Sequence, residues 1–447
     1  MGLGKLDLKP GKELYCASKN DRKGMANLEL KTKSLRSLKL KGLYKFGLFS
    51  AIQIVVQILG LATNVIIARK ISVSDFGTYS MVITIVGIIS TFGFTWTSSV
   101  LSFYGSKEVA VSGTMRKTIQ SRNIVLLFSA TVIGLAFLFL SSVINRYIGM
   151  NCTLLIFIWV VIKAINEYLT YYFIAREKKI ISSTVGLIAR VSTVLLLLML
   201  HVNLVSLLWI CILCEMLVVV TVVFVDRSDF TPSPFDKDYF KEIMTFALWQ
   251  LLGSSAIYVV NFGDNLVIRH FMSSHDVGIY NAAYKIFSGI YIMANVVSSF
   301  YVATISRHFH QNDKKSLKDI YFKYRIMLIA AVICVHLLTI ALSGPILTML
   351  YPSEYSASIP VFQVLLIASI CRYWTVFEML FFNINKMFRI QQTLNIVCAI
   401  LNIALDIALV PRMGIMGAAV GTTVSIVCTA IVSSIICEPK LLKYLKS

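Results

Sequence analysis

Stretches of roughly 20 apolar residues recur along the whole length of this chain, and no other feature limits its fold so tightly. Bilayer hydrocarbon offers the backbone no water, so every N–H and C=O must be paired inside the segment, which a continuous apolar run achieves as a helix. The runs predict spans at 46–67, 79–101, 123–144, 153–174, 182–200, 204–225, 246–268, 284–305, 326–347, 360–382, 394–410 and 417–436. With 57% hydrophobic and 14% charged residues among 447, and a mean hydropathy of +0.77, the chain is excluded from the soluble class. The fold expected is an all-α polytopic membrane protein of about twelve helices.

The formal net charge of +20 could suggest nucleic acid. The basic residues are instead segregated on alternate loops: Lys31 to Lys45, Arg116 and Lys117, Arg176 to Lys179, Arg307 to Arg325, Lys386 and Arg389, and Lys440 to Lys446 on one side. Arg69, Lys70, Arg146, Arg269 and Arg412 make up the other side. For an even number of spans this bias places both termini in the cytoplasm, with anionic lipid rather than nucleic acid as the neighbour of the basic face; the membrane expected is the cytoplasmic (inner) one. Residues 1–43 lack an apolar run and read as a basic tail, either resting on lipid near Leu35 to Leu43 or simply solvated. The nine cysteines form no disulfide framework, and Cys211 with Cys214, a C-x-x-C within an apolar span, reads as two small buried residues.

The two halves repeat. Asp75-Phe76-Gly77-Thr78-Tyr79 returns as Asp276-Val277-Gly278-Ile279-Tyr280, an offset of 201 (276 minus 75). At that offset Gln53, Gln57, Gly60 and Asn64 of the first span match Ser254, Tyr258, Asn261 and Asn265 of the seventh, each set on one helix face. Such stripes avoid lipid, so they face either a wet cavity or a packed neighbour; the length and repetition of the stripe favour the cavity. Six spans per half make the repeats parallel, with the substrate path between them. The expected organisation is a 1–43 tail, a six-helix bundle at 44–225, a flexible linker at 226–243 carrying Pro232 and Pro234, a second bundle at 244–437 and a tail at 438–447.

The segment from Ala68 through Arg69-Lys70-Ile71-Ser72-Val73-Ser74-Asp75-Phe76-Gly77-Thr78-Tyr79 resembles the loop after the first helix in Wzx-type flippases of lipid-linked oligosaccharides, part of the wider superfamily that includes multidrug exporters. Three further stretches carry the resemblance: Asp276 to Lys285, Leu350-Tyr351-Pro352 to Pro360, and Leu401-Asn402 through Pro411-Arg412-Met413-Gly414 to Ala419. It covers the chain from about Lys41 onward, and Asp406 departs from it, standing where an amide or apolar residue is expected. The resemblance implies a cargo of oligosaccharide on an isoprenoid pyrophosphate, destined for O-antigen, capsule or exopolysaccharide, with polysaccharide-assembly proteins as neighbours. Gly77 and Gly278 permit a turn or close approach, and the tyrosines beside them suit the membrane interface.

An anionic, amphipathic cargo of this kind needs cations in a cavity. The candidates are Arg190, Lys285, Lys163 and Arg372, joined along the pathway by Gln53, Gln57, Asn64, Tyr258 and Asn261. An ionisable group near mid-bilayer costs roughly 2.5 to 3.5 kcal/mol, so each one present calls for a role. The plainer roles are local: Lys163 pairing with Glu167, Arg372 with Glu378, and Lys285 reaching the outer surface. Asp264, Asp406 and Glu378 are candidates for H⁺ or Na⁺ exchange, with Glu215 a fourth buried acid and structural pairing the alternative role for all four. No nucleotide-binding or hydrolase pattern occurs, and His270, His275, His308 and His310 are expected in loops without metal spacing, so neither catalysis nor a bound metal or other cofactor is expected. The rival readings are a cation-coupled multidrug antiporter, which predicts an acidic cavity, and a sugar polymerase, which predicts a sizeable outer loop.

Overall fold

The computed structural model describes residues 47–49 and 51–446; the basic tail expected at 1–43 lies outside them. Residues up to Gln53 group as one unit, and Ile54–Ser447 form a second, within which every contact discussed below falls. The described residues are helical and contain no strand. Among the described residues twelve helices are long and apolar enough to cross a membrane: α1 (Gly47–Lys70), α2 (Val73–Gly93), α3 (Arg116–Ile148), α4 (Thr153–Ala175), α5 (Lys179–Met199), α6 (Leu204–Phe224), α7 (Lys237–Phe271), α8 (Ser274–His310), α9 (Lys314–Ala341), α10 (Ser358–Ile384), α11 (Phe388–Met413) and α12 (Ile415–Lys446). The protein is thus a multi-pass membrane protein. Lipid-facing surfaces follow from the same composition: Leu127, Phe128, Leu138 and Phe139 on α3 all point outward.

The repeated motif does not form a loop. It opens α2 and α8, where Ser72 and Ser273 are N-caps. The Ser72 hydroxyl accepts the Asp75 N–H at 3.1 Å, and the Ser273 hydroxyl accepts that of Asp276 at 3.4 Å. Asp276 completes a capping box by accepting the Ser273 N–H at 3.1 Å. Each carboxylate also sits in the first turn, where the helix dipole favours it.

The motif's glycines bring the halves together. A Cβ on Gly77 would strike the Ser274 carbonyl, and one on Gly278 the Val73 carbonyl, so α2 and α8 meet backbone to backbone in a reciprocal, two-fold-like contact. Gly278→Val is expected to lower the thermal midpoint by several degrees, because the obstructing atom is main chain and overpacking costs roughly 1–3 kcal/mol. A midpoint within a degree of wild type would show that the contact yields freely. The tyrosines that follow these glycines turn into the protein rather than outward: Tyr79 and Tyr280 are both buried.

At this same end the halves are tied by side chains that donate to main-chain carbonyls. Arg69 Nε reaches Leu350 O at 2.9 Å and its Nη2 reaches Met349 O, capping the helix Ser343–Leu350. Tyr147 donates to Leu266 O at 2.5 Å, and Arg269 lies against Gly149.

The connection between the halves is pinned rather than flexible. Asp229 is fully buried; it accepts from the Arg176 guanidinium, from the Tyr172 hydroxyl at 2.7 Å and from the Met115 N–H at 3.0 Å. Its neighbour Ser233 binds Gln120, and α7 already begins at Lys237. Residues 438–446, expected as a tail, continue α12, which runs to Lys446.

Candidate functional site

Six of the first eight helices supply polar groups to a cavity of about 360 Å³, walled mainly by the first half and closed by α7 and α8 of the second. Gln57 and Asn64 of α1 line it with Gly60 between them, so that stretch of the expected stripe does face open space. Gln53 precedes this unit and is half-buried at the start of α1. Lys163 of α4, Arg190 of α5 and Lys285 of α8 converge on the cavity, with Trp159, Tyr79 and Glu215 beside them. Lys285 therefore points inward instead of reaching the outer surface, its ammonium 5.6 Å from the Phe262 ring.

None of the three cations forms a salt bridge among the described residues. The salt bridge expected between Lys163 and Glu167 does not form; Glu167 accepts the Thr95 hydroxyl at 2.5 Å. Glu215, the one carboxylate on the wall, accepts the Trp159 indole N–H at 2.7 Å. The cavity is therefore net basic, in a setting where an uncompensated charge is costly. Cys211 and Cys214 are buried, the former 3.9 Å from the Tyr79 hydroxyl.

The matching stripe on α7 divides between two environments. Tyr258 donates to Thr84 O at 3.2 Å and Asn265 to Thr84 Oγ1 at 2.8 Å, so both fasten α7 to α2. This is the packed alternative, chosen because α2 crosses α7 there and offers acceptors. Asn261 instead lines a second cavity of about 280 Å³, as do Arg372 and Asn395.

Glu378 does not pair with Arg372. It accepts Arg325 at 2.8 Å and the Ser434 hydroxyl at 2.5 Å, while Arg325 also reaches Glu438 at 2.7 Å and stacks 3.6 Å from the Trp374 ring. Arg325, expected on a basic loop, is 2% exposed, and Glu378 belongs to its structural network. Nothing in the position of Arg325 at the edge of an apolar run marks it as buried.

Asp264 and Asp406 come together. Asp264 accepts the Tyr280 and Thr422 hydroxyls, the latter at 2.7 Å, and the Asn402 amide at 3.3 Å. Asp406 lies next to it, one helical turn after Asn402, and Gly421 leaves the room its carboxylate occupies. All these groups are buried, and among the described residues three of their oxygens, Asn402 Oδ1 and both of Asp406, accept no hydrogen bond from a neighbouring N–H or hydroxyl. Thr422 was missed in the sequence, although a hydroxyl amid the small residues of α12 is the signal that marks it. His270, His275, His308 and His310 lie in the helical ends of α7 and α8 rather than in loops. Among the described residues no three of His, Cys, Asp and Glu gather as a metal site.

A model of the family described as polysaccharide biosynthesis protein matches residues 66–360. Comparison with curated proteins finds no match. Among solved structures, an inward-facing multidrug resistance MATE transporter of the MOP superfamily superposes with a TM-score of 0.71 at 12% identity, over 88% of this chain and 96% of that one. The lipid II flippase MurJ in an inward closed conformation gives 0.71 at 15% identity, over 89% and 90%. A MOP superfamily transporter from Pyrococcus furiosus, described by the reverse polarity of its binding pocket, gives 0.58 at 12%, over 90% and 94%. At such identities the likeness is one of fold.

Proposed function

Because the chain belongs to the family of polysaccharide biosynthesis proteins, we propose that it is a flippase moving an isoprenoid-pyrophosphate-linked oligosaccharide across the cytoplasmic membrane by alternating access. The observation that carries this reading is the charge of the first cavity, where Lys163, Arg190 and Lys285 converge without carboxylate partners. A pyrophosphate supplies the missing anion, and charge-assisted hydrogen bonds to it are roughly twice as strong as neutral ones. A multidrug antiporter would hold its cargo with acids, and the single acid on this wall is engaged by Trp159. With the basic loops in the cytoplasm, the end tied by Arg69 and Tyr147 faces outward, so that this reading makes the arrangement the one that loads from the inner leaflet.

The experiment is to delete the gene in its host and identify the lipid-linked sugars that accumulate. Intact repeat units trapped on the cytoplasmic leaflet are expected. Unchanged sugars with altered drug tolerance would favour the antiporter, and single units stranded outside a polymerase.

Asp264 and Asp406 supply the coupling ion's site in this reading. Their donor set is all oxygen, and its three donorless acceptors fit a proton or a hard cation such as Na⁺. Two adjacent carboxylates in a low-dielectric interior repel each other strongly, so emptying the site is costly enough to bias a conformational change. Asp406→Asn is expected to uncouple the transporter. In proteoliposomes with an imposed H⁺ or Na⁺ gradient, flipping by the variant should no longer follow the gradient, and a wild-type response would remove the pair from the scheme.

A further inference from the structure

The second half holds a chamber of its own, and the transport reading leaves it without a role. Its polar wall is made of amides and hydroxyls, chiefly Asn261, Asn383, Gln391 and Asn395, together with Tyr291 and Arg372. No Asp or Glu lines it. Several of its groups are unspent. Among the described residues the fully buried Ser433 has no partner for its hydroxyl, and the buried Arg372 Nε has no acceptor. The guanidinium lies 5.2 Å from the Tyr291 ring and reaches Asn295 Oδ1 at 3.3 Å, yet forms no salt bridge among the described residues.

A side-chain amide carries a donor and an acceptor side by side, which matches neighbouring sugar hydroxyls, each of them both donor and acceptor. An aromatic face beside such amides suits the C–H face of a sugar ring. Arginine is always charged and its planar fork takes a carboxylate in two parallel hydrogen bonds, so an arginine left without an acid asks for an anionic group from outside. The first cavity, by contrast, offers three cations and suits phosphate oxygens.

We propose that this chamber binds the glycan of the cargo, and that Arg372 receives a carboxylate borne by one of its sugars. The inference rests on the flippase reading and divides the cargo between the two cavities, pyrophosphate in the first and glycan in the second.

The test uses the full chain in lipid nanodiscs with two probes. One is the oligosaccharide released by mild acid from the host's lipid-linked pool, free of phosphate and lipid; the other is an isoprenyl pyrophosphate without sugar. The released oligosaccharide should bind the wild type. The pair Gln391→Ala and Asn395→Ala should weaken it roughly tenfold, the loss of about two modest hydrogen bonds, and leave isoprenyl pyrophosphate binding unchanged. Arg190→Gln should do the reverse. Reducing the oligosaccharide's carboxyl groups to alcohols should weaken its binding to the wild type and have no further effect on Arg372→Gln, while Arg372→Lys keeps part of the wild-type response. Thermal midpoints measured in the same nanodiscs show which variants are folded.

An oligosaccharide that fails to bind while isoprenyl pyrophosphate binds overturns the chamber's assignment, as does equal weakening of both probes by the amide variants. A glycan that has no carboxylate, or whose affinity survives reduction, overturns the role of Arg372. Failure of both probes would instead strike the flippase reading itself.

Discussion

Arg190→Glu in α5 is expected to abolish flipping, and Arg190→Gln to slow it by roughly ten- to a hundredfold. Arg190 lies on the wall of the first cavity and is exposed to it. Hydrogen bonds to charged groups contribute roughly 1.5–3 kcal/mol, which corresponds to that range for a lost contact with pyrophosphate. Reversal of the charge adds repulsion of the cargo and gives the cavity's remaining cations, Lys163 and Lys285, an acid to pair with. Since Arg190 forms no salt bridge among the described residues, neither variant should lower the thermal midpoint appreciably. Flipping of a lipid-linked glycan in proteoliposomes, set beside thermal unfolding, separates the two effects. Wild-type flipping by Arg190→Glu would overturn the assignment of this cavity to the cargo's anionic group.

The largest effect on stability is expected at Arg325. Its removal, as in Arg325→Leu, leaves Glu378 fully buried with Ser434 as its remaining donor and strips Glu438 of its partner. Breaking a buried pair from one side costs roughly 3–5 kcal/mol, because the other charge stays behind without compensation. The single variant should therefore unfold many degrees below the wild type. Replacing both partners, Arg325→Met with Glu378→Leu, should recover much of that loss, since no orphaned charge remains in the core and Glu438 is partly hydrated. A double variant as unstable as the single one would show that the ion pair itself, rather than the orphaned acid, holds this part of the second half.

The number and order of the spans were legible because apolar length is a local property. The four motif stretches were legible too, but their roles were not. The Asp-x-Gly-x-Tyr motif reads as a loop until Ser72 and Ser273 are recognised as caps three residues ahead of each Asp, and its tyrosines read as interfacial although Tyr280 donates to Asp264. Periodicity identified a polar face on α1 and α7 without saying what each face meets. Gln57 meets a cavity, whereas Tyr258, at the equivalent position, meets the carbonyls of α2. The gathering of Lys163, Arg190 and Lys285 depends on how three helices pack, two of them consecutive and the third about a hundred residues on, so each could be picked out singly as a charge at depth and not as one of a set. Arg325 was misjudged for the same reason: Glu378 and Glu438 lie 53 and 113 residues away.

The meeting of Gly77 with Ser274 and of Gly278 with Val73 bears on how such a molecule can move. Helices normally lock through side chains seated in one another's grooves, and a change of crossing angle must lift them out. Where two bare main chains touch, little has to be unseated, and a small roll proceeds without repacking. In the alternating-access reading proposed above, the fulcrum of the rocking halves is this point. Distances measured between spin labels should change least for pairs placed close to it, and progressively more toward the far ends of α2 and α8.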